Sequence, residues 1–348
     1  MKTGTEIKNV LQHINEDSKN KLDYLVNLKD ITVVGGDQQQ MSMEVSTLTK
    51  DFGMTDRSIN QLCGKLKIGR QYIQKCLPES TDLVAHNLNF WINRRDDREL
   101  MIRSFDHGHN NYDARAILTN RYKRIDCDAV ANHCLDKLMD LDVQFKYSYY
   151  DGDRMNITAV TPKVEGEVVK GDVVQGGITI TNSEVGNGSL MIKPFIYRLV
   201  CTNGMVAPQY FNQFYAKHVG KIIIDPTQDE QWKVTIEKMQ AQLELVAKPE
   251  VFEENLQKLQ QATKERMNSR QIVQLAKRQG ITDSERAGIF ERLDHYVGDE
   301  FTVSKYELSN AVTNMANDEE MSDQRARFFQ ELGGLIVFTN NPMQIAIW

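Results

Sequence analysis

Gly188-Ser-Leu-Met-Ile-Lys-Pro-Phe-Ile-Tyr-Arg-Leu-Val-Cys-Thr-Asn-Gly204 is mostly apolar from Leu190 to Val200, with β-branched and aromatic residues concentrated in its second half. It reads as a strand with most of its surface covered. Asn187-Gly188 opens it and Asn203-Gly204 closes it, pairs that tolerate positive φ. Upstream, 172–182 predicts a neighbouring strand in which Gly176-Gly177 marks a bulge or a close backbone approach. Before that, Val143 to Tyr149 and Met155 to Val160 alternate around Asp151-Gly-Asp153 as a hairpin, with Gln144, Lys146 and Ser148 on one face. Leu100 to Phe105 and Ala114 to Thr119 predict another hairpin, turned at His107-Gly-His-Asn-Asn111. Strands joined by turns argue for an antiparallel or mixed sheet.

Helical periodicity surrounds these strands. Residues 4–28 predict one or two helices, with Ile7, Val10, Leu11 and Ile14 on one face. Thr55 or Asp56 caps a helix with Ile59, Leu62, Cys63 and Leu66 inward, and a second short helix follows Gly69 until Pro78. The pair is either a structural hairpin or a DNA-reading helix-turn-helix carrying Arg70, Gln71, Gln74 and Lys75. Asp126 or Asp128 caps a helix through Met139. Beyond Pro226 the periodicity predicts helices over 228–247, 250–267, 269–279, 283–296, 303–317 and 321–332, then an apolar end. The fold class expected is α+β: a central antiparallel or mixed sheet flanked by helices, with a helical C-terminal region. Its divisions are a mainly helical 1–82, a sheet core 83–224 and a helical 225–348.

Composition narrows the function. No run reaches the ~18 apolar residues of a membrane span, and five scattered cysteines among 348 residues suit a reduced, cytoplasmic protein. The net charge of −6 is uneven: 61–124 carries twelve basic and seven acidic residues, whereas 225–332 carries fourteen and twenty-one. This points to nucleic acid as partner for the first half only. The candidate contacts are Arg94, Arg95, Arg98, Arg115, Arg121, Tyr122, Lys123 and Arg124, with Lys217 and His218. Tyr122 would stack on bases while the cations meet phosphates at the end of the 114–119 strand, Arg115 and Ile117 sharing one face. Tyr210, Phe211, Phe214 and Tyr215, beside Lys217 and His218, are either a second stacking platform or the inner face of a helix.

No cofactor or metal is expected. His107 and His109 lack further ligands at zinc spacing, and Asp96, Asp97, Glu99 and Asp106 are interleaved with arginines. Cys201 reads as a buried, reduced thiol. Leu335–Phe338 and Ile345–Trp348 predict a homo-oligomer.

Four strings together resemble the phage/plasmid-like protein family, a family of unknown function. They are Leu66-Lys-Ile-Gly-Arg-Gln-Tyr72, Arg115-Ala-Ile-Leu-Thr-Asn-Arg-Tyr122, Arg198-Leu-Val-Cys-Thr-Asn203 and Asn310-Ala-Val-Thr313. Lys217-His218 looks like that family's downstream basic element. The resemblance implies carriage by phages or plasmids near replication and recombination genes, and location in the host cytoplasm. The leading expectation is therefore a protein that binds or anneals single-stranded DNA. The alternatives are a protein-binding host-defence antagonist or regulator, and a metal-dependent nuclease.

Overall fold

The computed structural model describes residues 6–36, 40–199, 203–206, 214–218 and 230–341. Cys201, Tyr210, Phe211 and Ile345–Trp348 lie outside the described residues.

Two six-stranded sheets carry the fold. The first is built from β1 (Lys21–Asn27), β2 (Ile31–Gly35), β3 (Met41–Val45), β4 (Lys50–Met54), β5 (Glu99–Asp106) and β6 (Tyr112–Thr119). Their order is β1-β5-β6-β4-β3-β2, with only the β4–β6 pair parallel. The second is antiparallel: β7 (Gln144–Tyr150), β8 (Arg154–Val169), β9 (Asp172–Ser183), β10 (Leu190–Arg198) and β11 (Asn203–Val206) in sequence order. Beside β11, β12 (Phe214–Ala216) also pairs with β10.

The strand expected at 190–200 is thus interior. It has β9 on one side, and β12 and β11 share the other. The two outer partners cover 190–192 and 195–198, so Pro194 falls in the gap between them, where no outer strand is opposite it. β12 corrects the helical alternative for the aromatics at 214–215. The Gly176-Gly177 expectation holds as close approach. A Cβ on Gly177 would stand 2.4 Å from the Ala159 carbonyl oxygen. Gly177→Ala is expected to cost about 1–3 kcal/mol in a denaturant titration.

Helices cover the sheets. α2 (Asp56–Leu66), α3 (Arg70–Cys76) and α4 (Thr81–Ile92) close the first core, against Val33, Met43, Phe52, Leu100, Ile102 and Ile117. Thr55 caps α2 by accepting from Ser58 N–H, and the four expected core residues of α2 are buried. α1 (Ile7–Ser18), α5 (Cys127–Asp140) and α6 (Glu230–Val246) pack on one face of the second sheet. On its other side lie α7 (Pro249–Ala262), α10 (Lys305–Asn314) and α11 (Asp323–Phe338). α8 (Ser269–Arg278), α9 (Asp283–Glu291) and the short pair β13 (Arg266–Asn268) and β14 (Thr302–Ser304) complete a further core with α10 and α11. Reciprocal capping boxes start three of these helices, Asn268/Gln271, Thr282/Glu285 and Ser304/Glu307.

Three expectations are corrected. Within 1–82 a single helix is followed by four strands, and the first sheet is built from both sides of residue 82, while α1 packs on the second sheet. Residues 1–82 are therefore not a separate helical region. The alternation of 143–149 is broken by a register shift between Phe145 and Ser148, so Ser148 is buried while Gln144 is exposed, and the two do not share a face. Leu335–Phe338 continues α11, with Ile336 and Val337 buried in the chain's own cores, so that segment needs no second subunit to cover it.

Candidate nucleic-acid interface

The sequence placed its candidate site at the end of β6. A bulge there redirects the chain: Arg103 faces Ala116 and Ser104 faces Ala114, leaving Arg115 as the extra residue. Ile117 then packs toward α2–α4, while Arg115 turns to the space between the sheets, so the two do not share a face as expected.

Arg115 enters a buried charge network. Its guanidinium bonds Asp153 Oδ1 at 3.0–3.1 Å and Glu184 Oε2 at 2.9 Å. Glu184 is fully buried and also accepts from Lys21 Nζ at 2.9 Å and the Cys127 backbone N–H at 2.7 Å. Arg103 lies opposite Asp23 on β1 and is 1% exposed. It donates to Asp23 at 2.9 Å, Asp126 at 2.6 Å and the Glu184 carbonyl at 2.9 Å. Arg124 donates to the other Asp126 oxygen at 3.0 Å, and Arg57 of α2 pairs with Asp153. Asp126, at the start of α5, gives its side chain to these arginines and makes no capping bond. Burial would raise Glu184, but Lys21, Arg103 and Arg115 outweigh it and hold the carboxyl below its usual range. Burial likewise opposes Asp126, which Arg103 and Arg124 hold well below the carboxylate range.

Tyr122 and His218 belong to the same interior. Tyr122 is 7% exposed and donates to the Ser183 carbonyl at 3.3 Å. Its ring stacks on His218 at 4.9 Å and 5°. The imidazole Nδ1 is 3.1 Å from the Lys123 carbonyl oxygen, and burial lowers its pKa to about 4. The expectation that Tyr122 stands free to stack on a base, with Arg115 and His218 beside it, is therefore overturned: these three are buried, while Arg124 is half-buried and already paired with Asp23 and Asp126.

The His218 shift makes a prediction. A neutral folded imidazole against an ordinary unfolded one near 6.5 means the unfolded chain binds more protons as pH falls. Stability should drop between about pH 6.5 and 4, by up to roughly 3 kcal/mol. His218→Gln should flatten that limb in melting curves across pH, and an unchanged acid limb would refute the assignment.

The remaining candidates lie on the surface. α4 ends in Phe90 and Trp91, 40% and 39% exposed, their rings edge-to-face at 5.4 Å. The Arg94 guanidinium sits 3.5 Å over Phe90, and Arg95 lies 5.6 Å from the Trp91 ring. Arg95 is held by the Leu66 carbonyl at the end of α2. Burial, with Arg98 nearby, lowers Lys65 below the usual ammonium range. Asn120 bonds Glu99 at 3.3 Å, which brings exposed Arg121 to the same end of the sheet as exposed Arg98. Asp97 accepts from the Lys29 backbone N–H. Lys123 is half-buried and Lys217 is exposed, both apart from α4 in the chain. Phe90 and Trp91 were missed as contacts. Their signal was two aromatics one helical turn before two arginines.

His107 and His109 fall in the turn after β5, as the sequence reading has it, and His107 pairs with Asp113 at 2.8 Å. Among the described residues no group of three or more His, Cys, Asp and Glu is placed to hold a metal ion. No described helix is long and apolar enough to cross a membrane. Arg198 and the string at 310–313 meet at a packing joint. Arg198 grips both Asp172 oxygens at 2.6 and 2.7 Å, and Tyr306 donates to the same carboxylate at 2.9 Å. Asn310 and Thr313 border the adjoining cavity of about 10 Å³, room for one water.

These features define an α+β protein of two helix-covered sheets tied by buried ion pairs, with an aromatic and basic surface at one sheet end. Residues 116–326, more than half of the chain, match the family described as a domain of unknown function (DUF932), and the chain belongs to that family. The match takes in Tyr122, Asp126, Glu184 and His218, and begins after α4. No curated protein and no solved structure matches the chain.

Proposed function

We propose that the chain binds single-stranded nucleic acid through the end of α4, in the phage or plasmid replication or recombination setting that the four strings imply. The observation that carries this reading is the pair of exposed rings, Phe90 and Trp91, with the Arg94 and Arg95 guanidinium groups over them and Arg98 and Arg121 exposed nearby in the chain and at the adjoining sheet end. Bases stack on aromatic faces without regard to sequence, and guanidinium groups around them meet the phosphates. The acids in the same region, Asp96, Asp97 and Glu99, favour a weak, salt-sensitive contact. Relative to the sequence expectation, the site moves from Arg115–Arg124 to 90–98 with Arg121.

The first experiment is a mobility shift of the full chain on a labelled single-stranded oligonucleotide at low salt. Retention that falls as salt rises supports the reading. Absence of retention at low salt refutes it.

A further inference from the structure

The turn after α9 holds out two apolar side chains that stand exposed among the described residues. Tyr296 is 80% exposed and Val297 50%. The turn is built, not slack. Asp294 and Gly298 take positive φ of 58° and 114°. The Tyr296 N–H donates to Asp299 Oδ2 at 2.8 Å, and the Asp299 N–H returns to the Tyr296 carbonyl at 3.1 Å. Beside them His295 stacks on Phe301 at 4.0 Å. A ring displayed on a pre-formed turn loses little conformational freedom when covered, which is what an interface anchor requires. Around it the exposed side chains of Glu291, Asp294 and Asp299, with Glu300 paired to Arg270 at 2.6 Å, leave a net acidic rim and set the sign of the partner: basic, with apolar groups among the cations.

The chain itself carries such a surface at the end of α4. We propose that the Tyr296–Val297 turn of one copy docks on the α4-end surface of a second copy, its acids standing where phosphates would. The contact joins two different patches, so it runs head to tail and adds copies without closing as a two-fold dimer would. The inference rests on the reading of the α4 end as a surface for polyanions. Nucleic acid and a second copy then compete, and a single strand releases the self-docked form.

Sedimentation velocity of the full chain tests this at tens-of-micromolar concentration, at ionic strength about 0.01 M, where charges reach about 30 Å, and about 0.15 M, where they reach about 8 Å. Association at the lower ionic strength that dissolves at the higher is expected. Tyr296→Ala, at an exposed site that leaves folding intact, should weaken it at least about tenfold. Glu291→Lys with Glu300→Lys should abolish it, and mixing that variant with Arg94→Glu/Arg98→Glu protein should restore a hetero-contact. Both turn variants should retain single strands like the parent, and added oligonucleotide should return the parent to monomer. A parent that stays monomeric at the lower ionic strength, or associates equally well as Tyr296→Ala, overturns the self-docking and leaves the mobility shift standing. Association that follows these variants in a chain that retains no oligonucleotide overturns the function reading alone.

Discussion

Glu184→Ala is expected to lower the unfolding free energy by about 3–5 kcal/mol, the cost of leaving buried charge without its partner. The side chain is fully buried, and two cations lean on it, Lys21 and Arg115, at 2.8 and 2.9 Å. Without it Lys21 keeps the Tyr150 hydroxyl at 2.7 Å, and the Cys127 backbone N–H loses its acceptor. Arg103 keeps its bond to the residue 184 carbonyl, so the damage centres on β1 and β6. Denaturant titration should show a lower midpoint with an unchanged slope. Glu184→Leu combined with Arg115→Met should cost less than the two changes summed, because the pair leaves together. A loss below about 1 kcal/mol in Glu184→Ala would mean that water reaches the network.

The surface site has a different signature. Arg94, Arg98 and Arg121 are exposed, so replacing all three by alanine should leave melting unchanged. If each meets one phosphate, the slope of log affinity against log salt should fall by about 0.7 per residue, roughly 2 in all, and affinity by one to two orders of magnitude. Trp91→Ala should cost about 1–3 kcal/mol of binding if a base stacks on the indole. Tyr122→Ala supplies the contrast: it should lose stability through the buried ring on His218, with its binding loss no larger than its unfolding explains. Unchanged affinity and salt slope in the folded triple variant would remove the α4 end as the site.

The contrast between these two sites marks how much a reader of the sequence could see. The helix start at 56 was legible because the capping Thr55 and the Ser58 N–H it accepts from lie three residues apart, and the helices near 269, 283 and 305 were legible from apolar periodicity. The hairpins at 99–119 and 144–169 were legible because apolar runs and turn residues are also local. β1 was not. Leu22, Leu25 and Val26 fit helical spacing, and Leu22 and Leu25 stay 36% and 42% exposed on an edge strand, so no alternation announces it.

By itself the sequence determined the α+β class, the interior strand at 190–198 and the C-terminal helices, since each rests on a pattern of neighbours. It also determined which residues carry charge and aromatic rings. Only the tertiary structure decided which of them face water. Glu184 meets Lys21 across 163 positions and Arg115 across 69, and one extra residue in β6 turns Arg115 inward. A cation paired inside the protein and one waiting in solvent are the same letter. Burial is a property of contacts that close through space, and no local period records them.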